Sequence, residues 1–432
     1  MRTRTMTLGL MFLSALGLAT PPSFAQVALP SLPSLPSLPA TPAGVTDIPG
    51  NATRAIGGTV GALTQVRALQ IQSLLRQHRD VIDTDADGAP VVRSEIIAIE
   101  PASAAIDAAL AAGFSVTSEK DLDALSMRLL VLRAPSGMGT RKALKMLRRI
   151  DPVGDYEFNH LYLGSGSVVG ATSTLPAAGG QLASIRVGLI DSGVDRKHPA
   201  LAGIDLHSWG CDGAVIAAEH GTAVASLLVG SDGRSAGNSL YAADVYCGRA
   251  TGGAVVDIVA AMAWLAKEQV GVINISLVGP ANVLLERAIG ELTRRGHILV
   301  AAVGNDGPAA PPLYPATYPG VVGVSAVNAR DHVIPESGRG PQVDFAAPGA
   351  DMVAADSKGG WMRVRGTSFA SPLVARLLAR DLPRPAVQQA ASALAQLSAT
   401  VIDAGAPGQD DIYGKGIVGN ELRWAHAPTG KK

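Results

Sequence analysis

The chain has 432 residues, 47% of them hydrophobic, with 36 basic and 36 acidic side chains and a formal net charge of zero. That length holds two or three domains at about 150 residues each, and the apolar share supports a sizeable core. Balanced charge without a basic stripe or interleaved aromatics gives no footing for nucleic-acid binding. Gly408 to Gly416 mimics a phosphate loop, but five residues separate Gly408 from Gly414-Lys415, and Gly416 stands where Ser or Thr would be needed.

Residues 1–25 read as a secretory signal. Arg2 and Arg4 supply charge, Thr7 to Ala19 the apolar segment, and Ser23-Phe-Ala25 a small-residue cleavage site before Gln26. No later run is apolar and long enough to span a membrane, so no membrane association is expected once the signal is removed. The destination is the periplasm or the extracellular space. Residues 26–57 contain Ser-Leu-Pro three times, a semi-rigid spacer. Residues 58–89 carry an amphipathic helical pattern with no assigned role.

Residues 90–162 read as one α+β unit. Val91–Ile99, Phe114–Thr117, Met127–Leu132 and the end of Gly154–Tyr162 are strand-like, and Ala102–Ala112 and Thr140–Arg149 are helical. A β-α-β-β-α-β succession predicts a ferredoxin-like topology. Residues 163–182 are rich in Gly, Ser, Ala and Thr and read as an exposed linker. Beyond them, in 183–425, apolar strand runs alternate with helical patterns: Leu240–Tyr246, Val255–Lys267, Val270–Leu277, Val283–Arg294, Ile298–Val303. Such alternation predicts a parallel sheet covered by helices. The only cysteines, Cys211 and Cys247, form either one disulfide in an exported chain or a pair of free thiols.

Chemistry concentrates in this last region. Asp191 ends the apolar run Val187-Gly-Leu-Ile190. His220 opens His220-Gly-Thr222 before a helical stretch. Ser368 lies in Gly366-Thr-Ser-Phe-Ala-Ser-Pro372, again at a helix start. An acid, a base and a hydroxyl nucleophile are what acyl transfer needs. A serine at a helix N-terminus sits where developing negative charge is favoured. The order Asp…His…Ser, without a Gly-x-Ser-x-Gly elbow, separates this chain from α/β-hydrolases.

With these motifs the chain resembles the subtilisin family of serine peptidases, the subtilases. Val272–Leu277 is similar to the family's substrate-binding strand, Val300-Ala-Ala-Val-Gly-Asn305 to the strand leading to its oxyanion-hole asparagine, Phe345–Gly349 to the loop before the serine, and Tyr413–Gly416 to its closing motif. The resemblance implies a subtilisin-like fold and serine endopeptidase activity. In the implied roles Ser368 is nucleophile, His220 base, Asp191 orienting acid and Asn305 oxyanion donor.

Substrate would lie as an added strand between Thr251-Gly252-Gly253 and Ser276-Leu277-Val278, with Ala302, Val303 and Gly304 along the far wall. The 90–162 unit resembles the family's inhibitory propeptide, with processing expected in 163–182. The expected partners are protein or peptide substrates and the chain's own propeptide.

No cofactor or metal is implied. The stretch Gly230 to Ser239 is short and offers one carboxylate, Asp232, too few oxygens for a family-type calcium site. Val278 stands where the family has glycine, and Arg376 where it has a small residue. Val278 predicts a narrower pocket before the scissile bond, favouring Ala or Val over aromatics. These departures leave a weak or inactive, peptide-binding relative as the alternative.

Overall fold

The computed structural model describes residues 67–172, 184–230 and 237–423. The expected signal, the spacer and most of the Gly230–Ser239 loop lie outside the described residues. Among the described residues no helix is long and apolar enough to cross a membrane.

The larger part is a parallel sheet. Its strands are β7 (Arg186–Asp191), β8 (Asp205–Trp209), β9 (Ser239–Asp244), β11 (Val272–Ile275), β13 (Ile298–Ala302), β14 (Val321–Val327) and β15 (Phe345–Pro348), in the order β15-β14-β13-β11-β7-β9-β8. Successive side chains alternate between its faces. Val187 and Leu189 of β7 join a core with α4 (Glu219–Val229) and α7 (Thr367–Ala379), while Ile190 joins the opposite core with α5 (Val255–Lys267) and α6 (Val283–Arg294). Strands buried on both faces need near-continuous apolar runs, which is what β11 (VINI) and β13 (ILVAA) carry. Asp191, Ser276 and Asn305 all follow from the C-terminal ends of β7, β11 and β13. That is the edge where open α/β sheets place ligands.

The smaller part is antiparallel: β2 (Pro90–Ile99), α2 (Ser103–Ala111), β3 (Ser115–Leu122), β4 (Met127–Arg133), α3 (Thr140–Ile150) and β5 (Asp155–Gly164), in the strand order β5-β2-β4-β3. This is the β-α-β-β-α-β arrangement. One sheet face (Ile96, Ala98, Leu130, Leu132) packs on α2 and α3 through Ala109, Leu144 and Leu147. The other (Ile97, Ile99, Leu129, Val131) enters the same core as α5 and α6. A short β1 (Ile82–Thr84) pairs with the start of β2, preceded by a helix, α1, over 67–77.

Within the stretch 163–182 read as an exposed linker, the described residues 163–172 include strand. β5 runs on to Gly164, and β6 (Ser167–Thr172) pairs antiparallel with β17 (Trp361–Arg365), itself paired with β16 (Met352–Ala355). Gly and Ser carry no apolar signal, but partner strands from distant sequence supply the hydrogen bonds that turn these residues into strands.

Candidate active site

Asp191 is fully buried, and its carboxylate meets His220 Nδ1 at 2.8 Å through Oδ1 and 3.1 Å through Oδ2. Ser192 ties the strand to the helix: its N–H donates to Asp191 Oδ1 at 2.7 Å, and its Oγ accepts from Gly221 N at 3.0 Å. Burial disfavours a charged imidazole, but the charge and hydrogen bond of Asp191, with Glu219 adding, outweigh it and hold the His220 pKa above its ordinary value. His220 Nε2 is buried and has no hydrogen-bond partner among the described residues.

Ser368 is the second residue of α7, and Gly366 precedes the helix at φ 138°, a conformation that favours glycine. Pro372 lies inside α7 and has no N–H, so the Ser368 carbonyl lacks its helical donor. Ser276 Oγ supplies one at 3.0 Å and also contacts Ser371 Oγ at 3.1 Å. In return Ser368 Oγ donates to the Ser276 carbonyl at 3.1 Å. Ser368 is therefore locked to the end of β11. Asn305 is oriented by the Thr367 N–H, which donates to its Oδ1 at 3.0 Å. Its NH₂ group is thereby turned toward Gly366, where a Cβ would sit 2.8 Å from Nδ2 and 2.9 Å from the Ser165 carbonyl oxygen.

The groove holds the chain's own residues. β10 (Gly253–Ala254) pairs antiparallel with Tyr162 and Leu161, and β12 (Leu277–Val278) with Gly164 and Leu163. Gly252 approaches closely: at φ 99°, a Cβ there would lie 2.5 Å from the Tyr162 carbonyl oxygen. Thr251 is buried and precedes the paired residues Gly253 and Ala254. Tyr162 is fully buried, its ring over Gly279 and its hydroxyl donating to the Pro280 carbonyl at 2.7 Å. The Gly164 N–H donates to Tyr246 Oη at 2.7 Å, and a Cβ on Gly164 would touch the His220 ring at 3.3 Å. Ser165 ends the run against Ser368. Its N–H reaches Ser368 Oγ at 3.1 Å, and its own Oγ lies 2.7 Å from the same atom.

Ala302, Val303 and Gly304 are buried behind this point, with Gly304 N–H donating to Thr367 Oγ1 at 3.2 Å. Cys211 and Cys247 are joined as a disulfide. It braces the turn after β9, where Asp244 Oδ1 accepts from the N–H groups of Tyr246 and Cys247 at 2.9 Å each. Sequence reading missed Ser192, Tyr246, Ser371 and Ser165. Ser192 directly follows Asp191 and Ser371 lies inside the Gly366–Pro372 motif, but a lone hydroxyl carries no pattern of its own. Only the proline four residues after Ser368 signalled that an outside donor was required.

The structure thus brings Asp191 and His220 into one hydrogen-bonded pair, and sets Ser368 and Asn305 on either side of Gly366 and Thr367. Residues 183–416 match the subtilase family (Peptidase_S8), more than half of the sequence. The chain belongs to that family and is a serine endopeptidase of the subtilase type, acting on protein or peptide substrates. It is 30% identical to subtilisin DY of Bacillus licheniformis over 261 residues, 57% of this chain and 92% of that protein. To subtilisin amylosacchariticus of Bacillus subtilis subsp. amylosacchariticus it is 29% identical over 248 residues, 54% and 64% of the two chains. Among solved structures, fervidolysin from Fervidobacterium pennivorans, a keratinolytic enzyme related to subtilisin, superposes with a TM-score of 0.60 at 18% identity. That likeness of fold covers 78% of this chain and 62% of the other.

Proposed function

We propose that the chain is the uncut precursor of an exported serine endopeptidase, and that it cleaves its own Ser165–Gly166 bond. The observation that carries this reading is Ser165 held against Ser368, its N–H 3.1 Å and its Oγ 2.7 Å from Ser368 Oγ, with the Ser165 carbonyl oxygen and Asn305 Nδ2 both flanking Gly366. Ser368 Oγ attacks the Ser165 carbonyl carbon while His220 Nε2 takes its proton. Asn305 Nδ2 and the Ser368 N–H donate to the resulting oxyanion. His220 then protonates the Gly166 nitrogen, which leaves as the new amino terminus, and water hydrolyses the acyl-enzyme by the reverse relay. Before attack the Ser368 hydroxyl must turn from the Ser276 carbonyl and Ser165 Oγ toward the unpartnered His220 Nε2. Residues up to Ser165 act as inhibitor, because after the cut their last strand still fills the groove. Export rests on the signal-like residues 1–25.

Expression of the full chain with its signal, followed by mass spectrometry, tests this. The mature enzyme should begin at Gly166, and Ser368→Ala should remain one uncut, folded chain. A fully active enzyme that still begins at Gln26 would overturn the processing scheme.

A further inference from the structure

The first described residue of α1 reaches toward the active site. Arg67 Nε lies 3.3 Å from Asp306 Oδ2, and Arg67 Nη2 donates to the Val278 carbonyl at 3.3 Å. Both partners belong to segments that flank the bound residues 163–165. Asp306 follows Asn305, whose amide shares the space beside Gly366 with the Ser165 carbonyl. Val278 pairs with Leu163, and strand alternation puts Leu163 and Ser165 on one side of the bound segment. The Arg67 guanidinium therefore lies between the two walls expected to flank the side chain before the scissile bond.

Asp306 is mostly covered: its side chain is 16% exposed and that of Arg67 14%. Burial pushes the Asp306 carboxyl above its ordinary range, and Arg67 pulls it back in part. A covered carboxylate that loses its cation is unfavourable, and α1 carries that cation away when the N-terminal segment departs. Arg339 also borders the cavity beside Asp306 but is exposed at the rim.

We infer that Asp306 and the Val278 carbonyl form a guanidinium pocket through which the mature enzyme selects arginine before the scissile bond, and that Arg67 is its built-in occupant in the precursor. This rests on the groove reading proposed above. It also revises the small-residue preference expected from Val278. The Val278 carbonyl contacts Arg67, so this wall offers an acceptor as well as a branched side chain. The precursor presents Ser165 at its own junction and keeps the preferred head group on a separate element, which makes its junction a slow substrate.

The test uses mature enzyme and peptides spanning 161–168 with residue 165 varied as Ser, Phe, Arg and citrulline. Citrulline keeps the shape of arginine without its charge. Hydrogen bonds to charged groups contribute about 1.5–3 kcal/mol, so kcat/KM for arginine should exceed that for citrulline roughly 10- to 100-fold. In Asp306→Asn the arginine-to-citrulline ratio should fall to near one. Hydrolysis of the series with arginine and citrulline equal in the wild type overturns the pocket while leaving the protease reading intact. No hydrolysis of any peptide, by enzyme confirmed as folded, overturns the protease reading instead. A ratio unchanged by Asp306→Asn would show that another group selects the charge and would also overturn the assignment.

Discussion

His220 sets the pH response of the site. Protonated at Nε2, it cannot accept the Ser368 proton, so activity must rise with pH as the imidazole deprotonates. Asp191 stabilises the charged imidazole more than burial opposes it, and the pKa is raised. The acid limb of kcat/KM should therefore have its midpoint above the ordinary histidine value of about 6.5. A pH–rate profile on a peptide without ionisable groups measures it, and a midpoint well below 6.5 would contradict the Asp191–His220 geometry. Asn305 contributes differently, because its NH₂ group meets charge that exists only after attack. Loss of one such donor in a subtilisin costs roughly 10²–10³ in kcat. That borrowed figure sets the size expected for Asn305→Ala, with KM nearly unchanged. A large rise in KM at constant kcat would instead make Asn305 a ground-state binding group.

At the scale of elements, legibility followed the source of each element's hydrogen bonds. β7, β11 and β13 are buried apolar runs, so the fold class could be read from local pattern; Asp191 at a strand end and His220 and Ser368 at helix starts were singled out by motif, and Asn305 by the family resemblance. β6 could not: Ser167 to Thr172 carries no alternation worth a strand, and its pairing with β17 depends on residues nearly two hundred positions away, as for Ser167 Oγ on the Arg365 carbonyl. Arg67 is the same case, since nothing near it in sequence names Val278 or Asp306 as its partners.

The groove pairing also makes an element-level prediction. Gly252 holds φ 99° with no room for a Cβ against the Tyr162 carbonyl. A left-handed conformation costs a non-glycine residue roughly 1–2 kcal/mol. Gly252→Ala should therefore raise KM about tenfold or more on extended peptides and have little effect on short ones that end before the Tyr162 position. Equal effects on both lengths would place the damage in the catalytic residues rather than in the β10 edge.

Across the whole molecule, the proposed processing scheme makes cutting and releasing separate events. The N-terminal unit holds on by more than the strand in the groove. Leu129 is fully buried and Val131 nearly so, and both share one apolar core with Ile258, Met262 and Leu285 of α5 and α6. Hydrolysis of Ser165–Gly166 removes none of this contact, and Tyr162 still fills its site under the Pro280 carbonyl. The cleaved unit should thus remain bound and inhibitory, giving a lag between the appearance of the new amino terminus and full activity. Truncating a large buried side chain costs about 2–5 kcal/mol. If half of that falls on the interface rather than on the unit's own fold, Leu129→Ala should shorten the lag several-fold without changing the cleavage site. Tyr162→Ala should act in the same direction. Cleavage followed by gel band intensity and activity followed on a fluorogenic peptide separate the two clocks. If both curves superpose in the wild type, retention by this shared core is wrong and release is driven by the cut alone.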